Sequence, residues 1–307
     1  MENRPSPAMR CTTWFLNITG SYLKAKRFPA WRRRMERRSY PAPAPIPVSL
    51  RRRCQVSVSE IEGQPVYTLT PIDGRRAMHI IYTHGGCYVL PLQSIHWGII
   101  QQLIEHTGAS VTVPIYPLAP EFDHKPAFTL LNQVYQERLQ NHAEDRIILC
   151  GDSAGGGLAL AQAMIYRDCD YRLPDRIILF SPWLDVSMSN PDAALLESID
   201  PLLGITSLAH CGKWWAGGVD IHEPHISPLF GDMAGLPPID VFTGTYEIFF
   251  PDIHILQQKV VDAGGMVNVY EYAGAFHDFV GIPFLPESQT VFKIVANVLK
   301  SHDFASS

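Results

Sequence analysis

The chain has 307 residues, of which 46% are hydrophobic, so it can bury one large core with an appended cap. Its formal net charge of −5 by itself neither requires nor excludes a charged partner. The absence of an apolar run of about eighteen residues, and of an apolar core in the first twenty, predicts no membrane span and no secretory leader. The six cysteines form no CxxC pair, which is typical of reduced, mostly buried thiols, and we expect a cytoplasmic protein.

Positive charge is concentrated at the start of the chain. Residues 1–53 hold 13 Lys and Arg against 2 acids, with arginine clusters at 32–34, 37–38 and 51–53. One interpretation is an arm that binds nucleic acid or an anionic membrane. The other is a helical segment that docks on the acidic remainder with its arginines in solvent. We favour the second and expect no nucleic-acid partner, because no zinc-finger or RNA-binding motif accompanies the charge.

Residues 1–50 are predicted to form an N-terminal cap segment. Within residues 10–40, one or two short amphipathic helices are indicated by apolar side chains at near-helical spacing, namely Trp14, Phe15, Ile18, Tyr22 and Leu23. Alternating prolines from Pro41 to Pro47 then predict a stiff, extended connector.

Residues 51–307 are predicted to form the main domain, which opens with two antiparallel strands and then alternates strand and helix. The predicted strands are Gln55–Ile61, Pro65–Leu69, Met78–Thr83, Ser110–Tyr116, Arg146–Cys150, Arg176–Phe180, Ile239–Thr243 and Val267–Tyr272. The predicted helices are Ser94–His106, Pro126–Asn141, Ala154–Arg167, Pro251–Ala263 and Glu287–Lys300. This alternation predicts an α/β fold, with a mostly parallel sheet of about eight strands and helices on both faces.

Residues 187–225 break the alternation, because they contain no strand pattern but hold several large apolar side chains. We expect a helical insertion that packs with the N-terminal segment as a lid. Such a lid would cover the carboxyl ends of the strands, where ligands bind in open α/β folds.

The candidate nucleophile is Ser153, in the segment RIILCGDSAGGG at residues 146–157. The glycines on both sides allow a sharp turn from strand to helix, and the turn places the serine hydroxyl at a helix N-terminus, where negative charge is favoured. An ordinary glycine-rich turn is the alternative. The clear strand before the motif and the clear helix after it favour a nucleophile.

A second glycine motif, His84-Gly85-Gly86, follows the strand Met78–Thr83 directly. Backbone N–H groups of Gly85 and Gly86, together with that of Ala154, are predicted to stabilise the oxyanion of acyl transfer. A glycine turn without this role is the alternative. His84 itself is interpreted as a scaffold residue that hydrogen-bonds the loop.

The predicted general base is His277, on the loop after the last strand, and the predicted acid lies on the loop after Ile239–Thr243. Two carboxylates are candidates for the acid. Glu247 is nearer the strand end and is favoured, whereas Asp252 is also suited to cap the following helix. A carboxylate there would orient the imidazole, and the chain order of serine, acid and histidine agrees with the α/β-hydrolase order.

The sequence resembles the hormone-sensitive-lipase-like branch of the α/β-hydrolases, the bacterial esterases with an HGGG loop, over residues 65–300. The matching motifs are HGGCY at His84–Tyr88, YPLAPE at Tyr116–Glu121, GDSAGG at Gly151–Gly156, SPWLD at Ser181–Asp185, LPP at Leu236–Pro238, the TGTYE loop and His277. The resemblance implies a capped fold, and Tyr88 and Asp152, within these motifs, are candidate substrate-binding residues.

Three residues depart from the family pattern. Cys87 replaces the third glycine, which leaves a thiol near the pocket. Glu247 stands where the family more often has aspartate. Asp278 follows His277 where a small or apolar residue is usual, and its carboxylate either raises the pKa of His277 or turns to solvent.

Together these residues predict a serine carboxylic-ester hydrolase that acts on short-chain acyl esters through Ser153, His277 and Glu247, with an acyl-enzyme intermediate. The expected partner is a small-molecule ester, with no metal and no organic cofactor, and a homodimer is one expected assembly. Two alternatives stay open: an amidase or N-deacetylase with the same machinery, and a non-catalytic receptor for small molecules.

Overall fold

The computed structural model describes residues 4–19, 28–37, 42–73 and 77–300, and these contain one sheet of eight strands. The strands are Cys54–Ile61 (β1), Gln64–Pro71 (β2), Met78–Thr83 (β3), Ser110–Pro114 (β4), Arg146–Asp152 (β5), Arg176–Phe180 (β6), Ile239–Gly244 (β7) and Val267–Tyr272 (β8). Their order in the sheet is β1-β2-β4-β3-β5-β6-β7-β8. The β1–β2 and β2–β4 pairs are antiparallel and all others are parallel, which confirms the predicted fold class.

Helices lie on both faces of this sheet. Those described are Pro7–Thr19 (α1), Phe28–Glu36 (α2), Val48–Arg53 (α3), Ser94–Thr107 (α4), His124–Asn141 (α5), Ser153–Asp168 (α6), Pro191–Leu196 (α7), Ile205–Ala216 (α8), Phe250–Asp262 (α9) and Pro286–Lys300 (α10). Alternate strand side chains enter two different cores: Ile81 belongs to the core that includes residues of α5, α6 and α9, whereas its neighbour Ile80 belongs to the core that includes residues of α4 and α10. The central strands are buried on both faces and are therefore mostly apolar.

The register of the parallel strands brings the predicted motifs to one edge of the sheet. Thr83 at the end of β3 pairs with Gly151 near the end of β5, and Gly244 at the end of β7 pairs with Tyr272 at the end of β8. The HGGC, GDSAG, TGTYE and AFH segments each start within three residues of a strand end. Four loops that are distant in sequence therefore meet at the carboxyl edge of the sheet.

The insertion at residues 187–225 contains α7 and α8 and no strand. The N-terminal segment is divided between two places. Helix α2 contacts α8, with the rings of Phe28 and His210 5.7 Å apart, whereas the start of α1 is bound to α10 by the hydrogen bonds that Ser6 donates to Glu287. Among the described N-terminal residues, those of α2 contact the insertion, and a lid role for the two together stays a prediction.

The face of helix α1 that packs against the protein is not the face predicted from the spacing of its apolar residues. Its buried residues are Met9 and Thr13, whereas Trp14, Phe15 and Ile18 are exposed, Trp14 by 67%. Tyr22 and Leu23, which complete the predicted stripe, lie outside the described residues. The anchoring of Ser6 and Met9 decides which side faces the core.

The described arginines of the basic clusters point to solvent while the segments that carry them are docked. Helix α2 buries Phe28, Trp31 and Met35. Its Arg32 pairs with Glu36 of the same helix at 2.7 Å, and Arg53 of α3 lies 3.3 Å from Glu105 of α4. This agrees with the interpretation of a docked segment; Arg38 lies outside the described residues. No helix in the described part of the chain is long and apolar enough to cross a membrane.

Candidate active site

Ser153 occupies a sharp turn between β5 and α6. Its backbone has φ of 51°, in the left-handed region that L-residues other than glycine rarely adopt. Side chains at the flanking Gly151 and Gly155 would overlap each other's backbone or that of Thr83, so only glycine fits at both positions. The turn holds the hydroxyl at the N-terminus of α6, at the carboxyl edge of the sheet.

The structure brings Ser153, His277 and Glu247 into one hydrogen-bonded row. His277 Nε2 lies 2.9 Å from Ser153 Oγ, and His277 Nδ1 lies 2.8 Å from Glu247 Oε2. Because a carboxylate only accepts, Nδ1 carries the proton and Nε2 is left to accept from the serine hydroxyl. The Thr243 hydroxyl and the Gly244 N–H both donate to Glu247 Oε1. Both oxygens of this fully buried carboxylate are therefore held.

Asp252, the alternative acid, faces elsewhere. Its Oδ1 accepts a hydrogen bond of 2.7 Å from Asn190 Nδ2, and it lies in the first turn of α9 rather than at its N-cap, which is Phe249. Burial raises the pKa of Asp252 to about 6. Of the two candidate carboxylates, only Glu247 contacts His277.

The oxyanion loop differs from the prediction at one donor. The Gly85 N–H donates to Asp152 Oδ2 at 3.0 Å, and this hydrogen bond contradicts the role predicted for Gly85. By contrast, the N–H groups of Gly86 and Cys87 have no acceptor among the described residues. Ala154 lies in the first turn of α6, where backbone N–H groups have no acceptor within the helix. The free donors are those of Gly86, Cys87 and Ala154.

Asp152 is a buried positioning residue, which corrects its predicted contact with substrate. Besides the Gly85 N–H, it accepts from the Tyr82 hydroxyl, and His96 Nε2 lies 3.4 Å from its Oδ2. Because His96 Nδ1 accepts from the Gln93 N–H, its Nε2 carries the proton that faces Asp152. Asp152, which directly precedes Ser153, therefore holds the loop of Gly85 and Gly86 in place through the hydrogen bond from the Gly85 N–H.

His84 supports the same loop, as predicted. Its Nδ1 donates to the Gly85 carbonyl at 2.7 Å, and its ring stacks on Tyr116 with centroids 4.4 Å apart. Burial, with His96 nearby, lowers the pKa of His84 to about 3. The ring is neutral and serves as scaffold.

Tyr88 is an aromatic packing residue rather than the predicted substrate contact. It is only 1% exposed, and its ring lies between those of Trp215 at 4.1 Å and Trp183 at 5.6 Å. Since Trp215 belongs to α8, this stack joins the loop of Gly85 and Gly86 to the insertion at residues 187–225.

Cys87 and Asp278, two of the residues that depart from the family pattern, are both turned into the protein. The Cys87 side chain is 3% exposed, and burial raises the pKa of its thiol to about 12. Asp278 turns inward, with Oδ2 3.1 Å from His277 Nε2. Burial alone would lower the pKa of His277, but the carboxylates of Asp278 and Glu247 outweigh burial and raise it well above its usual value.

One functional neighbour was missed by sequence reasoning. Asp200, in the insertion, accepts hydrogen bonds from the N–H groups of Leu202 and Leu203 and, at 3.0 Å, from that of Ile248 beside Glu247. No motif marks it, since an aspartate in an irregular segment is ordinary. In the described residues, no three His, Cys, Asp or Glu side chains are grouped so as to hold a metal ion.

Comparison with known proteins places the chain among the α/β-hydrolases. A family model described as the alpha/beta hydrolase fold matches residues 80–281. An acetyl-hydrolase of Streptomyces hygroscopicus is 30% identical over 231 residues, 75% of this chain and 76% of that protein. An esterase of Acinetobacter venetianus is 30% identical over 227 residues, 73% of this chain and 75% of that protein. A solved structure of a hormone-sensitive lipase from a metagenome library superposes with a TM-score of 0.81 at 26% identity, covering 95% of this chain and 98% of that one.

Proposed function

The chain belongs to the α/β-hydrolase fold family, in its hormone-sensitive-lipase-like branch, and is a carboxylic-ester hydrolase; we propose that it works through Ser153, His277 and Glu247. The observation that carries the proposal is the continuous row from Ser153 Oγ through the imidazole to the Glu247 carboxylate, with contacts of 2.9 and 2.8 Å. These are the hydrogen-bond distances that proton transfer requires.

In the proposed acylation, His277 Nε2 takes the hydroxyl proton as Ser153 Oγ attacks the ester carbonyl carbon. The N–H groups of Gly86, Cys87 and Ala154 stabilise the resulting oxyanion, and one such donor typically contributes about 3–4 kcal/mol. Glu247 stabilises the imidazolium and keeps its ring in place. His277 then gives the proton to the departing alkoxy oxygen, and the alcohol leaves.

In the proposed deacylation, a water molecule takes the place of the alcohol. His277 removes a proton from this water as its oxygen attacks the acyl carbon, and the same N–H groups stabilise the second oxyanion. The proton returns to Ser153 Oγ as the carboxylic acid departs. No group outside these residues, substrate and water is required.

The proposed substrates are esters of short acyl chains. Support comes from the relative named an acetyl-hydrolase. A series of p-nitrophenyl esters of increasing acyl length tests this directly. We expect kcat/KM to be highest for the shortest chains; a maximum at long chains would contradict it.

The proposed nucleophile is tested by Ser153→Ala together with a serine-directed fluorophosphonate probe. The wild type should be labelled once, at Ser153, and lose activity, whereas Ser153→Ala should be inactive and unlabelled with an unchanged thermal unfolding midpoint. Labelling at another serine, or turnover by Ser153→Ala, would refute the assignment. An unlabelled, inactive wild type would favour a receptor.

The remaining expectations, a cytoplasmic location and a homodimer, stay predictions of the sequence. Native mass spectrometry tests the second.

A further inference from the structure

Asp278 lies against the same imidazole nitrogen that faces Ser153. It follows His277 directly and has a left-handed backbone with φ of 53°. Its Oδ2 lies 3.1 Å from His277 Nε2, and Ser153 Oγ lies 2.9 Å from that nitrogen. In serine hydrolases this nitrogen passes the proton to the leaving group. The Asp278 carboxylate therefore lies where the alcohol departs.

Asp278 differs from the other buried carboxylates near the site in its hydrogen bonding. Asp152, Glu247 and Asp200 each accept hydrogen bonds on both oxygens. Oδ1 of Asp278, in contrast, is buried and has no donor among the described residues. A buried acceptor without a donor is destabilising, and more so when it is charged, so this oxygen calls for a partner outside the chain.

We propose that Asp278 determines leaving-group specificity by accepting a hydrogen bond from a protonated amine on the alcohol of the ester. The proposal rests on the proposed function and deepens it, because it names the leaving group: an amino alcohol with its ammonium two carbons from the ester oxygen. Oδ2 faces His277 Nε2, which can donate to it once it has taken the serine proton, and Oδ1 is left as the free acceptor. A two-carbon spacer lets the ammonium fold back from the departing oxygen to reach it.

The charges that face Asp278 favour a cation. Burial raises the pKa of Asp278 to about 6 against the lowering effect of His277, so the carboxyl is ionised at neutral pH. Asp152 and Glu247 add negative charge, and the Cys87 thiol and Tyr82 hydroxyl are kept neutral because burial raises the pKa of each. While His277 is neutral, as it must be to accept the serine proton, an ammonium is stabilised in these surroundings and a neutral group of the same shape is not.

The reaction itself is unchanged. The bond from Ser153 Oγ to the acyl carbon forms, the bond from that carbon to the alkoxy oxygen breaks, and the serine proton reaches this oxygen through His277. The ammonium keeps its proton and leaves as part of the protonated amino alcohol. Water then completes deacylation as for any ester.

Three acetates of similar shape test the proposal. The leaving alcohol of 2-(dimethylammonio)ethyl acetate has a positive charge and an N–H donor, that of 2-(trimethylammonio)ethyl acetate has the charge alone, and that of 3,3-dimethylbutyl acetate has neither. The value of kcat/KM for each is measured at neutral pH in wild type, Asp278→Asn and Asp252→Asn. Asparagine tolerates a left-handed backbone, so the first variant should fold. Asp252 is a matched control, since its buried carboxylate pairs with Asn190 instead of His277.

We expect Asp278→Asn to lower kcat/KM of the dimethylammonio ester, relative to the neutral ester, by roughly tenfold or more. The trimethylammonio ester should fall less, and Asp252→Asn should leave both ratios unchanged. Any change in the basicity of His277 acts on all three esters and cancels in the ratios.

Two results in Asp278→Asn would overturn the proposal. One is an equal loss of kcat/KM on all three esters. The other is an equal loss on the two charged esters, because it would show that the N–H donor makes no contribution. Failure of the proposed function is recognised separately. In that case Ser153→Ala would hydrolyse the neutral ester as fast as wild type does, whatever the ratios.

Discussion

The rings of Tyr88 and Trp215 lie face to face, 4.1 Å apart and inclined by only 7°. Tyr88 follows Gly86 and Cys87 directly, and Trp215 belongs to α8 of the insertion at residues 187–225. Both side chains are buried, so the stack is a packed contact between the insertion and the carboxyl edge of the sheet. The position of α8 and that of the oxyanion loop are therefore coupled.

We expect Trp215→Ala to destabilise the protein by about 3–5 kcal/mol, as is typical for a buried aromatic side chain, and to lower kcat/KM because the oxyanion loop loses its support. Denaturant unfolding and ester kinetics measure the two effects. Trp14→Ala is the matched control, since Trp14 is 67% exposed, and it should change stability by no more than about 0.5 kcal/mol. Equal effects of both variants would show that the stack has no special role.

Glu247→Gln should reduce kcat by a factor on the order of 10⁴, because an amide at this position no longer fixes the Nδ1–H tautomer or stabilises the imidazolium. Asp252→Asn should stay within tenfold of wild type, since Asp252 faces Asn190. Steady-state kinetics on a p-nitrophenyl ester compares the two. A larger loss in Asp252→Asn would transfer the role of the acid to that residue.

The pH profile of kcat/KM should have its acid limb above the usual pKa of histidine. Only neutral His277 can accept the serine proton, and Asp278 and Glu247 raise the pKa of this imidazole, so activity is lost as pH falls through the raised value. Asp278→Asn removes one of these carboxylates and should move the limb to lower pH. If the limb stays in place or moves to higher pH, Asp278 does not act on His277.

Cys87 should resist alkylation in the folded protein. Its thiol is buried with a pKa of about 12, so it presents almost no thiolate at neutral pH, whereas Cys11 and Cys169 are exposed. Brief treatment with a bulky maleimide should label the two exposed thiols and leave esterase activity intact, as followed by peptide mass spectrometry and by rate. Rapid loss of activity with label on Cys87 would contradict this and place the thiol in an open pocket.

Much of the fold could be predicted from sequence because the central strands are buried on both faces. Of these, β3 and β6 begin and end at the predicted residues, as does the edge strand β8. Strand β4 is shorter than predicted, ending at Pro114. Tyr116 lies beyond it, and its hydroxyl donates to the His84 carbonyl.

The triad residues could be predicted for a related reason: each follows a strand whose end is marked by glycine or a change of pattern. The roles of Gly85, Asp152 and Tyr88 could not. They depend on partners far along the chain, such as Tyr82, which is 70 residues from Asp152, and Trp215 in the cap. The local sequence pattern indicates which residues lie near the site. Tertiary contacts decide which backbone N–H groups have no acceptor and which aromatic rings are buried.

The hydrogen bond from Ile248 to Asp200 has a consequence for how this enzyme can be rebuilt. The insertion supplies the acceptor, and the loop that carries Glu247 supplies the donor. A chimera that keeps the sheet but takes this insertion from another hydrolase would retain Ser153 and His277 while releasing the loop that carries Glu247. Exchange of the insertion to alter substrate range should therefore succeed only when the incoming segment brings a carboxylate to the same backbone N–H.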